Sequence, residues 1–232
     1  MRLRGVSAAI CAVLASGAIA ACGSSGASSS SNGVAAKSPE AILAATYASI
    51  KGVKSLRIYG SLSSEGLPVT LDLNLVAGEG ASGSMSEHGL SFKLIAVGKT
   101  IYIQGSKAFW TQYGGAAAAT LFKGRWLKAS LSTGSFASLY ALTNANELFA
   151  KLLGSHGPLV KVAETTIGGQ KVVGVHDTTK GGTLYVAVNG PAYPVELVAN
   201  GVGKGHVSFG DFNQTTSVTA PSSSIDVSQL KG

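Results

Sequence analysis

Between Leu56 and Leu75 apolar and polar side chains take turns, and that period of two decides the architecture. Leu56, Ile58 and Leu62 alternate with Arg57, Tyr59 and Ser61; after a turn around Gly66-Leu67-Pro68, Val69, Leu71, Leu73 and Leu75 alternate with Thr70, Asp72 and Asn74. Successive side chains of an extended chain point to opposite faces, so the pattern builds a sheet with one dry face. Further strands are predicted over 90–97, 100–104 and 108–113, separated by short Gly-containing turns. Strands return at 159–167, 170–177, 183–189, 194–199, 205–212 and 216–219, each bounded by Gly, Pro or Asn.

Two stretches depart from this period. Ser38-Pro39-Glu40 supplies a cap residue, a proline at the first helical position and an acid near the positive end of the dipole, and Gly52 ends the helix. Within it Ile42, Thr46 and Ile50 recur at intervals of four, as do Leu43 and Tyr47, so one stripe can lie on the sheet. Residues 114–155 hold an alanine stretch, a short Trp126-Leu127-Lys128 segment and a helical region containing Phe136, Leu139, Tyr140 and Leu142. A last helix starts at Asn144, with Glu147 three places on and Gly154 at its end; Leu148 and Leu152, like Phe149 and Leu153, share a face. Helix, strands, helices, strands is the order of an α+β fold, a large antiparallel sheet with helices laid on one face.

Ahead of this domain the chain reads as an export signal. Arg2 and Arg4 precede an apolar run from Val6 to Ala21 that is too short and too rich in Ala and Gly for a membrane span, and Ile19-Ala20-Ala21 places small residues directly before Cys22. That is the pattern a lipoprotein signal peptidase requires, with the Cys22 thiol as acyl acceptor. Residues 1–21 are then the signal peptide, 22–37 a flexible Gly/Ser tether that begins at the lipidated cysteine, and 38–232 one β-rich domain of about 190 residues. The Gly, Ser, Ala and Asn of the tether cannot bury enough apolar surface to offset chain entropy, and about 16 flexible residues reach roughly 20 to 24 Å.

Charge and chemistry narrow the function. Loss of Arg2 and Arg4 takes the formal charge from +7 to +5, and no run of four basic residues occurs, which excludes a nucleic-acid role and leaves weak attraction to anionic envelope surfaces. After Cys22 there is no other cysteine, so the core holds by burial without disulfides. Gly78-Glu79-Gly80-Ala81-Ser82-Gly83 matches the dinucleotide fingerprint by letter, but a strand-like stretch follows where the fingerprint needs a helix, and it reads as a hairpin turn. His88, His156, His176 and His206 lie far apart without metal-ligand spacing, although His176-Asp177 could orient an imidazole. No Gly-x-Ser-x-Gly elbow is present, so no enzyme, metal or cofactor is expected. Asn213-Gln214-Thr215 fits a glycosylation acceptor that is idle behind a bacterial lipoprotein signal.

Several local patterns are shared with known proteins: Tyr102-Ile103-Gln104-Gly105 leading to Phe109-Trp110, Gly124-Arg125-Trp126, Gly168-Gly169-Gln170-Lys171-Val172-Val173, Tyr193-Pro194, and Phe209-Gly210-Asp211-Phe212-Asn213 followed by Ala220-Pro221. Together they resemble the actinobacterial lipoproteins of the LppX/LprA/LprF/LprG group. The resemblance implies a LolA-like half-barrel, in which a strongly bent antiparallel sheet is covered on its concave side by helices and a hydrophobic cavity holds acyl chains. It also implies a carrier of lipids or glycolipids between envelope compartments. The export signal, for its part, anchors the domain on the outer face of the cell membrane through the acyl group, where an envelope transporter is a candidate partner.

Such a cavity needs inward aliphatic residues with few bulky ones to fill it. Aromatics are 7% and Gly numbers 31, which is compatible. The inward residues that would line it are Ile58, Val69, Leu71, Leu73 and Leu75 on the first hairpin, Phe92, Leu94, Ile101 and Ile103 on the next strands, Leu139 and Leu148 on the helices, and Val173, Val175 and Val186 on the later strands. Lys93, Lys99 and Lys107 near strand ends are candidate phosphate contacts. A sheet packed solid has a similar composition, so a lipid-anchored interaction or sensor module without a cavity stands beside the carrier, and a hydrolase of envelope components behind both. The Cys22 assignment has its own test: labelled fatty acid enters the wild-type chain and not Cys22→Ala, which is released to the medium; equal labelling of the two overturns it.

Overall fold

The structure, a computed structural model, describes residues 30–132, 134–200 and 203–230; the leader 1–21 and Cys22 lie outside these. Twelve strands form one sheet in the order β12-β6-β5-β4-β3-β2-β1-β11-β10-β9-β8-β7. The first meander is β1 (Ser55–Ser64), β2 (Leu67–Val76), β3 (Gly80–Glu87), β4 (Leu90–Val97), β5 (Thr100–Gly105) and β6 (Leu127–Ser130); the second is β7 (Leu159–Ile167), β8 (Gln170–Asp177), β9 (Gly182–Ala187), β10 (Pro194–Ala199) and β11 (Gly205–Gly210). Every pairing is antiparallel except that of β12 (Ile225–Asp226) with β6.

Connectivity explains where the helices go. The chain leaves β6, next to the edge that the short strand at Ile225–Asp226 completes, and resumes at the opposite edge with β7, and β11 then returns to pair with β1 at the centre. A connection from edge to edge must cross a face of the sheet. It does so as a 3-10 helix (Gly134–Thr143) followed by α3 (Ala145–Gly154), which lies beside α1 (Pro39–Lys51) on the concave side. Both helices start as the sequence dictates: the Ser38 hydroxyl accepts from Ala41 N–H at 3.3 Å, and the Asn144 side chain accepts from Glu147 N–H at 3.2 Å. Gly52 is the α1 cap.

Alternation sorts the faces. Ile58, Leu73, Leu75, Leu94, Ile101 and Ile103 are at most 3% exposed and merge with Ile42 and Ile50 of α1 and Phe149 of α3 in one core. On the other face Arg57 donates from Nε and Nη2 to both carboxylate oxygens of Asp72, each at 2.8 Å, and the guanidinium holds that carboxyl below the usual carboxylate range. Ser31–Lys37, the last part of the segment read as tether, lies along the sheet: Asn32 Nδ2 donates to Ala187 and Gly190 carbonyls at 3.0 and 2.9 Å, and Val34 is buried.

Three expectations change. Residues 108–113 are not a strand but belong to α2 (Lys107–Leu121). Their aromatic content suggested β structure, yet the Ser106 hydroxyl accepts from Phe109 N–H at 3.1 Å and the rings of Phe109 and Tyr113, four apart, meet at 4.8 Å. Residues 216–219 form no strand, because Val218 N–H is taken by Glu79 Oε2 at 2.9 Å. The fingerprint-like stretch is a turn only to Glu79; β3 starts at Gly80, its weak strand composition overruled by two partners.

Sheet curvature needs close strand approach, and Gly60 and Gly83 permit it. A Cβ on Gly83 would overlap the Asp72 carbonyl oxygen, and one on Gly60 that of His206. Gly83→Ala is expected to cost roughly 2 to 4 kcal/mol in urea unfolding, against under 1 kcal/mol for Gly52→Ala, where φ is −93° and a Cβ meets nothing within 4 Å.

Candidate functional site

The concave face is covered unevenly. Over the first meander, α2 places Phe109 and Trp110 against Phe92 and Gly105, with Phe92–Phe109 ring centroids 5.1 Å apart and Trp110–Phe122 5.0 Å, and these rings fill the space. Trp110 Nε1 is buried there without a partner among the described residues. Over the second meander the described cover is the thin pair α1 and α3 with Val34 of the N-terminal segment, and two adjoining clefts of about 360 Å³ each open beside the helices.

One cleft lies between the helices, floored by Phe149 and walled by Leu43, Tyr47 and Leu153. The other lies between α3 and the sheet, where Leu152 and Leu153 face Leu159, Val175, Leu184 and Leu197 across the gap. Leu43, Leu153 and His156 line both, so the two form one branched apolar groove with polar groups at its rim. Each branch is at the lower end of volumes that hold small ligands.

The rim is tied by Asp177. Its carboxylate accepts from Gly157 N–H at 2.9 Å and from Thr179 and Lys180 N–H at 2.8 and 2.9 Å, and these amides, that of Lys180 foremost, hold it below the ordinary carboxylate range. Lys180 Nζ donates to the Ser155 carbonyl oxygen at 2.6 Å. The β8–β9 turn is thereby fastened to the end of α3 at the groove mouth. His176 does not pair with Asp177: neighbours on a strand face apart, and its Nδ1 lies 2.9 Å from Thr183 Oγ1. Among the described residues no three His, Cys, Asp or Glu side chains gather as a metal site, and no helix is long and apolar enough to cross a membrane.

The sequence-predicted inward residues fall into three groups. Ile58, Leu73, Leu75, Leu94, Ile101, Ile103, Val173, Val175 and Val186 are buried in the common core; Leu71, Phe92, Leu139 and Leu148 are partly buried against it; Val69 is half-buried near a strand end. Of them Val175 lines the groove, and Leu75 lines a separate cleft of about 310 Å³ at the β2–β3 turn, beside Lys99. Lys93 lies on the outer face near Asp72 and Asp211, and Lys107 opens α2. Sequence reasoning missed Leu43, Leu152, Leu153, Leu159, Leu184 and Leu197 as a group. The signal was present in α3, whose ten residues carry two apolar stripes when its contact with the sheet buries only one.

The site and scaffold define a class: an open α+β half-barrel of the LolA-like kind with an apolar groove under its helices. Solved structures with this fold include the lipoprotein LppX of Mycobacterium tuberculosis, at 16% identity over 78% of this chain and 98% of that one with a TM-score of 0.53, and LprF from Mycobacterium bovis, at 14% identity over 80% and 97% with a TM-score of 0.54. The fold that the sequence resemblance implied is the fold present, and the likeness is one of fold. No family model and no curated protein matches the sequence.

Because Asp177 is held ionised in the folded chain, its stabilisation is complete above the ordinary carboxylate pKa near 4 and is lost as pH falls through its lower folded value. Melting curves from pH 6 to pH 2 should show a Tm drop below about pH 4 that is smaller in Asp177→Ala. Asp177→Ala should also melt lower at pH 6; a variant that melts as wild type removes the tie.

Proposed function

We propose that this protein is a lipid-anchored envelope lipoprotein that takes the acyl chains of a lipid or glycolipid into the groove between α1, α3 and the second meander, and carries them between envelope compartments without catalysing a reaction. The observation that carries the reading is the lining: aliphatic side chains from a helix pair and four adjacent strands face one gap, with charged groups confined to its rim. Hydrocarbon asks for nothing more directional, since each buried methylene contributes about 0.8 kcal/mol. Weak cover on one half of the sheet also supports a guest, because α1 and α3 can separate from β7–β10 without unpacking the aromatic cluster under α2. An N-terminal acyl group on Cys22, followed by residues 23–30 as spacer, would keep the groove near the membrane that supplies its cargo.

A second reading is favoured by a different observation. Ile58, Leu73, Leu94, Ile101 and Ile103 are already closed over by the protein's own side chains, as in a solid interaction or sensor module.

One experiment separates the two. Residues 23–232, exported in a bacterial host, are purified, extracted with chloroform and methanol, and the extract analysed by mass spectrometry. Near-stoichiometric lipid in the wild type, and at least tenfold less in Leu184→Trp and Leu197→Trp with unchanged circular dichroism, is the expected result. A lipid-free extract from well-folded wild type leaves the solid module.

A further inference from the structure

The positive charge of this chain is not spread evenly. From His88 to Asn146 there are six basic residues, Lys93, Lys99, Lys107, Lys123, Arg125 and Lys128, and no acid, whereas the remainder from Cys22 onward holds ten basic residues and eleven acids. Lys128 is matched by Asp226 at 3.1 Å, and Lys93 looks toward Asp72 and Asp211 on the outer face. Lys107, Lys123 and Arg125 are exposed and, among the described residues, have no acidic partner.

These three stand at the feet of α2. The helix is interrupted at Gly115, whose φ of 74° and ψ of −176° reverse its path, and Gly114 lets the second half come close enough that a Cβ there would meet that of Ala118. Its two ends come together, for Gln104 Nε2, beside the start, donates to the Gly124 carbonyl oxygen at 2.9 Å. The result is a kinked helical hairpin on the end of β5. Phe109, Trp110, Ala119 and Phe122 face the sheet and fix its base. Its tip, Tyr113-Gly114-Gly115-Ala116-Ala117, is exposed throughout, with Tyr113 at 63%, and Leu121, beside the second foot, is 47% exposed. No charge occurs from Ala108 to Phe122. Glu65 and Glu87 sit on the neighbouring turns, so the cationic character belongs to the hairpin and not to that whole end of the sheet.

We propose that the α2 hairpin is a membrane-docking element: its uncharged tip, led by Tyr113, enters the headgroup region of an anionic bilayer while Lys107, Lys123 and Arg125, with the exposed Leu121 beside them, meet the lipid surface and its phosphates. An apolar tip with cations at its base fits an anionic lipid surface in both layers, and tyrosine favours the boundary between hydrocarbon and water. The inference does not depend on whether the groove under α3 holds lipid.

Co-sedimentation of residues 23–232, which include every described element but not Cys22, tests it with vesicles of phosphatidylcholine alone or with one third phosphatidylglycerol. Binding is expected only to the anionic vesicles and should fall with added salt. Tyr113→Asp and Leu121→Asp should each weaken it about tenfold, with Tyr113→Ser as a milder variant, and Lys123→Ala combined with Arg125→Ala by about tenfold or more with loss of the salt dependence. Val160→Asp, at a residue 46% exposed on the far edge strand β7, should change nothing. Equal binding to both vesicle types, no binding to either, or Tyr113→Asp bound like wild type overturns the proposal, as does a dimer in solution that Tyr113→Asp disperses.

Discussion

Antiparallel pairing of β1 with β11 joins residues about 150 positions apart, and it alone among the main-chain ladders holds the two meanders in one sheet. Arg57 lies opposite Gly210, and Leu62 opposite Gly205. The strands can approach because Gly60 faces the His206 carbonyl and Gly205 that of Ser61, places where a side chain would collide with the partner's backbone. Closing so long a loop carries an entropic cost that local turns do not, although the cost grows only with the logarithm of length. Each meander closes largely through short hairpins, so the central pair is the ladder that carries the largest non-local cost. Once it forms, the crossing segment with α3 is trapped over one face, which puts the groove where it is.

Aromatic side chains decide which half of that face is full. Phe92, Phe109, Trp110 and Phe122 gather beneath α2, whereas α3 offers the second meander Leu152 and Leu153 above Val175, Leu184 and Leu197. Rings leave no gap; aliphatic side chains on a ten-residue helix do. Of Phe, Tyr and Trp side chains, only Tyr47 and Phe149 line the groove, both in the branch between the helices, and the tie from Asp177 and Lys180 fastens the end of α3 at its mouth.

Much of the fold was legible because the strands of the first hairpin and the caps of α1 and α3 each carry their own instruction. Leu56 to Leu75 alternates without help from the rest of the chain, and Ser38 and Asn144 bond within their own first turns. What could not be read is what tertiary contact overrules. Ala108-Phe109-Trp110 looks like strand until Ser106 caps it; Gly80-Ala81-Ser82-Gly83 looks like a turn until β2 and β4 flank it. The family-like patterns proved to be joints. Tyr193 stacks on Phe212 at 4.2 Å and its hydroxyl accepts from Asn213 Nδ2, while Gly168-Gly169 make a left-handed turn. Of the site, the inward faces of the strands were readable one by one, but which of them a helix would cover is a property of the crossing connection, and periodicity does not encode it.

Strand register places α2 and the groove on the same line. Opposite Gly105, at the start of α2, stands Phe92, and successive partners across the sheet are Met85, Leu71, Gly60, Val207, Leu197, Leu184 and Val175. The row runs from the foot of the hairpin to the groove, eight strand spacings or roughly 38 Å. All its side chains are apolar, and Phe92, Met85, Leu71 and Leu197 are only half-buried. Asn32, where the N-terminal segment meets the sheet beside Ala187, is at the opposite strand ends. The hairpin, the apolar row and the groove mouth therefore share one end of the strands, and the N-terminal segment joins the sheet at the other, so a guest's path between α2 and the groove follows this row and does not pass the N-terminal segment.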